Sequence, residues 1–339
     1  MIDEITTDVM TKNQKIELIC AELQKKADAG ELIGMIDIPI EVYHHPKCPG
    51  LSKTDANVIL ESTFQEYRRR KDLALRYFSA TPEEVDADEE LLEFKNSLDK
   101  FKHGRAVHTL CLEPHKFDDD FILEFDDSQR PRPISQKKDD KAMYEIQLDI
   151  YDRDFVQPWR EKAAGKTVLK TKVFNKAKKV AEMINAHPTF RAIMKDALIE
   201  QTLFYYKDGV LWKTRPDILN PKLELCPDLK TSQDISTNGF QRSITSYYYD
   251  LQGAIQLEGV KAVLGRDFMF GFFAAEEHDC RPLRLDDASL EAGRDLMKLA
   301  GERYKNGIER EKQGLKTGYS LDFEIIGNAP WGFNIDSRS

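Results

Sequence analysis

A mixed α/β fold follows from three features of the sequence. Apolar residues recur at helical spacing through much of the chain before residue 200, the period switches to two across residues 200–232, and helix, strand and helix then follow to about residue 313. The order helix, three antiparallel strands, helix, strand, helix predicts a mixed central sheet flanked by helices, with extra helices towards the N-terminus. At 339 residues the chain can bury a substantial core without disulfide or metal staples.

Taken in order, residues 13–28 carry apolar positions at helical spacing. Residues 50–78 predict a long helix, with Ser52 as N-cap and Asp55 three residues on, the pattern of a capping box. The acidic stretch 81–100 reads as an exposed connector with some helix. Val107, Leu110 and Cys111 share one face of a helix that starts near residue 103 and that Pro114 interrupts. Across 126–165 the apolar period fades among Pro131, Pro133 and many charges, so a loop or insertion is expected. Helices follow at 172–186 and 188–199. "EQTLFYY" (200–206), the turn "KDG" and "VLWKTRPDIL" (210–219) predict a hairpin, and "LELCPDLKTS" (223–232) a third strand. A long helix over 238–264, a strand over 267–277 and a helix capped by Asp286 or Asp287 complete the order.

Composition narrows the function classes. Hydrophobic content of 41% and charged content of 32% describe a soluble globular chain, and the longest apolar run, "FMFGFFAA" (268–275), falls far short of the ~18 residues that span a bilayer. The opening "MIDEITTDVM" has neither a basic nor an apolar leader region, so a cytoplasmic location with no membrane partner is expected. Five scattered cysteines with no CxxC pair argue against a disulfide framework and against a four-cysteine metal site. A net charge of -9 is unlike that of most nucleic-acid binders, yet the charge is unevenly spread. "YRRRK" (67–71) and the lysines from Lys166 to Lys179 are basic, and "PEEVDADEELLEF" (82–94) is acidic; ordinarily such runs are solvated helix faces.

One short stretch carries chemistry. In "RPDILNPKLELCPDLKTS" (215–232), Asp217 and Asp228 lie eleven positions apart and Lys230 follows two places later. Strand alternation puts Asp228 and Lys230 on the same side of the sheet, and pairing with the preceding strand would bring Asp217 to the same edge. Two carboxylates suit Mg²⁺ or Mn²⁺, hard cations that also bind phosphate oxygens. An ammonium beside them can position or help deprotonate a water and offset charge on a pentavalent phosphate. On spacing alone, an ordinary surface strand pair accounts for the pattern equally well.

The wider pattern decides between these readings. "VYHHPKCPGLSKTDANVI" (42–59), "GRAVHTLCLEPHKFDDDFI" (104–122), "GKTVL" (165–169), Glu200, "RPD" (215–217), "DLKTS" (228–232) and "YYYDLQGAIQLEG" (247–259) occur in that order. Together they resemble the RecE-type (exonuclease VIII) nuclease domain of the PD-(D/E)xK superfamily, over roughly residues 40–330. The resemblance implies a nuclease domain at 40–339 after an N-terminal helical extension at 1–39. It matches Asp217, Asp228 and His108 to metal-binding positions, Lys230 to the catalytic lysine, Glu200 to an upstream acid and Gln252 to a glutamine on the helix after D-x-K. Arg215, Thr231, Ser232, Tyr249, Lys166 and Lys170 are candidate DNA contacts. Two departures stand out. Pro227 removes a backbone donor from a strand expected to be internal, and Gln256 stands where a related pattern, Q-x-x-x-Y, has tyrosine.

The resemblance implies an Mg²⁺-dependent exodeoxyribonuclease, with Mn²⁺ able to substitute. It would act on double-stranded DNA ends, digesting one strand 5′ to 3′ and leaving 3′ tails for a single-strand annealing protein. A ring-shaped homo-oligomer enclosing DNA is implied too, with a basic channel inside an acidic exterior. The alternative is a non-catalytic DNA-end or partner-binding module on the same fold. Other signals fail: "AAGKT" (163–167) has Arg160 where a phosphate-binding loop needs glycine, and Pro114 distorts a zinc set of His103, His108, Cys111 and His115. The triplet Tyr247, Tyr248 and Tyr249 is expected to pack its helix against the sheet.

Overall fold

The computed structural model describes residues 10–132 and 138–319. The chain runs through α1 (Lys12–Asp28), β1 (Gly34–Ile36), α2 (Ile40–His44), α3 (Lys53–Glu61), α4 (Phe64–Ser79), α5 (Pro82–Ala87), α6 (Glu89–Asp99) and α7 (Lys102–Leu112). Then come α8 (Phe117–Asp120), β2 (Phe121–Leu123), α9 (Lys138–Tyr151), a π-helical turn, α10 (Gln157–Ala163), β3 (Thr167–Leu169), α11 (Thr171–Ala186) and α12 (Pro188–Met194). The strands β4 (Leu198–Ile199), β5 (Thr202–Lys207), β6 (Val210–Thr214), β7 (Ile218–Leu219) and β8 (Leu225–Thr231) follow. Last are α13 (Thr237–Tyr247), α14 (Tyr249–Leu264), β9 (Met269–Ala275), β10 (Cys280–Arg284) and α15 (Asp287–Lys312).

Side-chain caps set many of these boundaries. Ser52 and Asp55 form the expected capping box on α3, and Asp286 caps α15. Thr63 caps a fresh helix, so the segment expected as one helix over 50–78 is two. The acidic stretch 81–100 is helical, capped by Thr81 and Asp88, and it docks on basic α4 through Arg69–Glu90 and Arg76–Asp88 ion pairs. The loop expected over 126–165 is also corrected, since α9 and α10 occupy much of it. Met143, Ile146 and Ile150 recur at helical spacing there, but they are exposed and set among charges, which masks the period.

The hairpin β5–β6 forms as expected, and β1 adds to its other side. The third strand departs from expectation: β8 does not continue the antiparallel set but pairs in parallel with β9, which pairs in turn with β10. In that sheet β8 lies at the edge, which resolves the Pro227 departure. The N–H of Leu225 bonds to Asn220, Pro227 has none to offer, and the N–H of Leu229 bonds to the Asp217 side chain, all on the open edge. Register through Pro227–Gly271 is unbroken.

Alternation along the strands divides the core. Leu229 and Phe273 face a cluster built from α7, α11 and α12, while Cys226, Phe270 and Phe272 face a cluster completed by α13 and α14. Gly253 lets α14 lie close to the sheet; a Cβ there would sit 2.7 Å from the Phe270 ring. Residues 10–39 belong to the same packed body, because β1 pairs with β5 and α1 shares a core with Phe204. All five cysteines are free and buried, and no helix among the described residues is long and apolar enough to cross a membrane.

Candidate metal and nuclease site

Four segments meet at the open edge of β8. Alternation on β8 turns Asp228 and Lys230 towards α14, as the sequence predicts. Asp217, on the link between β6 and β7, is held against β8 by its own carboxylate, whose Oδ2 accepts the Leu229 N–H at 2.8 Å. His108 projects from α7, with Nδ1 3.5 Å from Asp217 Oδ2. Glu200 sits between β4 and β5 in a left-handed conformation (φ 52°), and its backbone N–H bonds to the Asp217 carbonyl at 3.2 Å. A non-glycine residue in that region is uncommon, which marks Glu200 as a position held by its surroundings.

His108, Glu200 and Asp217 each offer a ligand atom, all within 4.8 Å of one another. Asp228 stands beside this trio but outside it. Its Oδ1 accepts from Gln252 and, at 3.4 Å, from Gln256, while Oδ2 is buried in ion-pair contact with Lys230 without accepting a well-formed hydrogen bond. Two carboxylates and an imidazole are a fitting donor set for a hard divalent cation, and the under-satisfied Asp228 oxygen leaves a lone pair for one. The structure thus places Glu200 closer to the metal role, and Asp228 closer to Lys230, than the resemblance implied. Gln256 was missed as a site residue. Its signal was there, since Gln252 and Gln256 lie four apart on one helix and so share a face.

Burial dominates the electrostatics of the site. Burial pushes the Glu200 carboxyl up to about 8, assisted by Asp217 and opposed by Arg215. Burial likewise lifts Asp217 to about 6, with Asp228 adding to the rise and His108 and Lys230 opposing it. Burial and repulsion from a neighbouring acid disfavour the ionised forms of Glu200 and Asp217, and Arg215, His108 and Lys230 offset part of this. Burial works against the charge on Lys230, yet Asp228 and then Asp217 hold its ammonium above the ordinary lysine range. Lys230 therefore keeps its proton at neutral pH, and its Nζ lies 4.9 Å from the centre of the Tyr249 ring.

The other candidates divide. Arg215 is buried, with a side chain only 7% exposed; it bonds to Glu200 at 2.9 Å, Thr202 Oγ1 at 2.7 Å and the Ile38 carbonyl at 2.9 Å. Its Nε and Nη1 are taken up by these contacts, which position Glu200. Arg215→Met is expected to lower stability by about 3 kcal/mol, read in a thermal melt, because a buried pair loses one partner. Ser232 closes β8 through an N–H bond to Ala275 at 2.8 Å, and Thr231 lies against Gly104 of α7. Lys166 donates to the Asp118 carbonyl, whereas Lys170 is exposed at the start of α11. Cys111 belongs to the apolar cluster, where burial pushes its thiol up to about 12.

A search of curated proteins returns no match. Among solved structures, one from Eubacterium rectale described as "Putative exonuclease" aligns with a TM-score of 0.48 and 15% identity, over 87% of this chain and 96% of that one. A phage-related exonuclease from Haemophilus somnus 129PT aligns with a TM-score of 0.27 and 15% identity, over 60% of this chain and 95% of that one. Residues 74–319, which contain His108, Glu200, Asp217, Asp228, Lys230 and Gln252, match the family described as "PDDEXK-like domain of unknown function (DUF3799)", and the chain belongs to that family.

Proposed function

We propose that the protein is a divalent-metal-dependent exodeoxyribonuclease that degrades one strand of duplex DNA from its ends. The observation that carries this reading is the convergence of His108, Glu200 and Asp217 at the β8 edge, next to the Asp228–Lys230 pair. A cation there would be held by Asp217 with Glu200, His108 and the free lone pair of Asp228, and it would supply Lewis acidity towards a phosphate oxygen. Mg²⁺ is the expected ion and Mn²⁺ its substitute, since oxygen donors dominate.

The chain's own groups supply the rest. Lys230, fixed between Asp228 and the Tyr249 ring, places a positive charge where negative charge grows on the phosphate. Gln252 and Gln256 hold Asp228 in its rotamer, so the lysine and the acids keep a common orientation. His108 orients Asp217 from the α7 side. The 5′ to 3′ direction, the 3′ tails, a single-strand annealing protein as partner, the cytoplasmic setting and a ring-shaped homo-oligomer all belong to the same proposal. A closed ring would confine the basic α11 lysines to an inner channel and so reconcile DNA binding with a net charge of -9.

The test is digestion of linear duplexes labelled separately at each 5′ and each 3′ end, with Mg²⁺ and with chelator. Release of 5′ label first, with Mg²⁺ only, supports the proposal. DNA binding with no release under any metal favours the non-catalytic module instead.

A further inference from the structure

The three consecutive tyrosines divide unequally between core and surface. Tyr248 packs against the cluster of α3, β6 and α15, and Tyr249 against Phe240 and Phe272, so packing accounts for both. It does not account for Tyr247. That ring is 58% exposed and belongs to none of the core clusters.

Its placement depends on a break in the helix. Tyr248 is left-handed (φ 53°, ψ 50°) and ends α13, and α14 starts at the next residue. In an unbroken helix, side chains two apart point in different directions. Here the break brings the rings of Tyr247 and Tyr249 into a near-parallel stack, with centroids 5.7 Å apart and planes at 30°. A bulky residue in the left-handed region is strained, and such strain persists only where the surroundings enforce it. Lys53 of α3 contributes by donating to the Tyr247 carbonyl at 2.7 Å. The stack thus runs outwards from the site: Lys230 ammonium, Tyr249 ring, then the open ring of Tyr247.

We propose that Tyr247 is a stacking platform for a nucleobase adjoining the phosphate that Lys230 faces, which rests on the nuclease reading of this site. An aromatic face beside a cationic phosphate position is the arrangement by which proteins hold single-stranded nucleotides without reading sequence, because every base has a π-face. The ligand class is therefore an unpaired or frayed nucleotide at a DNA end. The platform favours ends whose terminal bases have left the duplex stack.

The proposal is tested by binding, with Ca²⁺ replacing Mg²⁺ so that affinity is read apart from turnover. Wild type, Tyr247→Ala and Tyr247→Trp are titrated by fluorescence anisotropy with frayed-end duplexes, either intact or carrying one abasic nucleotide at successive positions. Tyr247→Ala is expected to weaken binding of intact DNA about tenfold, the effect of one lost stacking contact. One abasic position should weaken wild type by a similar factor and the alanine variant no further, while Tyr247→Trp binds like wild type. Equal affinity of Tyr247→Ala and wild type, or an abasic penalty that persists in the variant, overturns the proposal. Cleavage of the same DNA in Mg²⁺ tests the nuclease reading separately.

Discussion

Lys230→Met is expected to slow DNA cleavage by about 10²–10³-fold while leaving DNA affinity within a few-fold of wild type. The size follows from the proposed role, in which the ammonium is a fixed charge at the point where the transition state gains negative charge. Methionine keeps an unbranched side chain of similar length while removing the charge over the Tyr249 ring, so the loss reads mainly the charge. Initial rates on end-labelled duplex, anisotropy titration and a melting curve separate the three contributions. Asp228 loses its counter-ion in this variant, but Gln252 and Gln256 still donate to it, which limits the destabilisation. A variant that cuts at the wild-type rate would remove Lys230 from the chemistry.

The second large effect is pH-dependent. Glu200 and Asp217 hold their protons to higher pH in the folded chain than ordinary carboxyls do. Between about pH 4.5 and pH 8 the folded state thus binds more protons than the unfolded one, so metal-free stability falls as pH rises through that window. This is the reverse of the usual salt-bridged carboxylate. The loss from Glu200 is on the order of 3 kcal/mol between pH 5 and pH 8.5. Urea melts in chelator at the two pH values measure it, and Glu200→Gln should flatten most of the slope. Bound Mg²⁺ or Mn²⁺ should reverse the trend, because a cation favours the ionised acids. Calorimetry in buffers of different ionisation enthalpy should show about one proton released per metal bound at pH 7. Metal-free stability that rises with pH over this range would contradict the crowding of acids at the site.

Much of this arrangement was legible in the sequence, for identifiable reasons. Capping residues are local, so Ser52, Asp55 and Asp286 announce helix starts that the structure keeps. Period-two alternation is local too, and it correctly sends Asp228 and Lys230 to one side of β8. Strand partners are not local. Nothing in "LELCPDLKTS" distinguishes an antiparallel neighbour in β6 from a parallel one in β9, and the wrong choice made Pro227 look like a defect. The break at Tyr248 was hidden because apolar spacing continues across it, and only the left-handed residue shifts the helix axis. Arg215 shows the limit of residue type as a guide: an arginine next to acids suggests a phosphate grip, yet its Nε and Nη1 are engaged by Glu200, Thr202 and the Ile38 carbonyl. Glu200 was chosen through resemblance, and its closeness to His108 and Asp217 depends on a backbone conformation that sequence does not reveal.

The most direct measurement is anomalous diffraction from crystals soaked in Mn²⁺, compared with crystals of Asp217→Asn treated alike. Density for manganese within bonding distance of Asp217 and of Glu200 or His108, absent from the variant, is the result this account requires. Manganese bound elsewhere, or equally in both crystals, would contradict it.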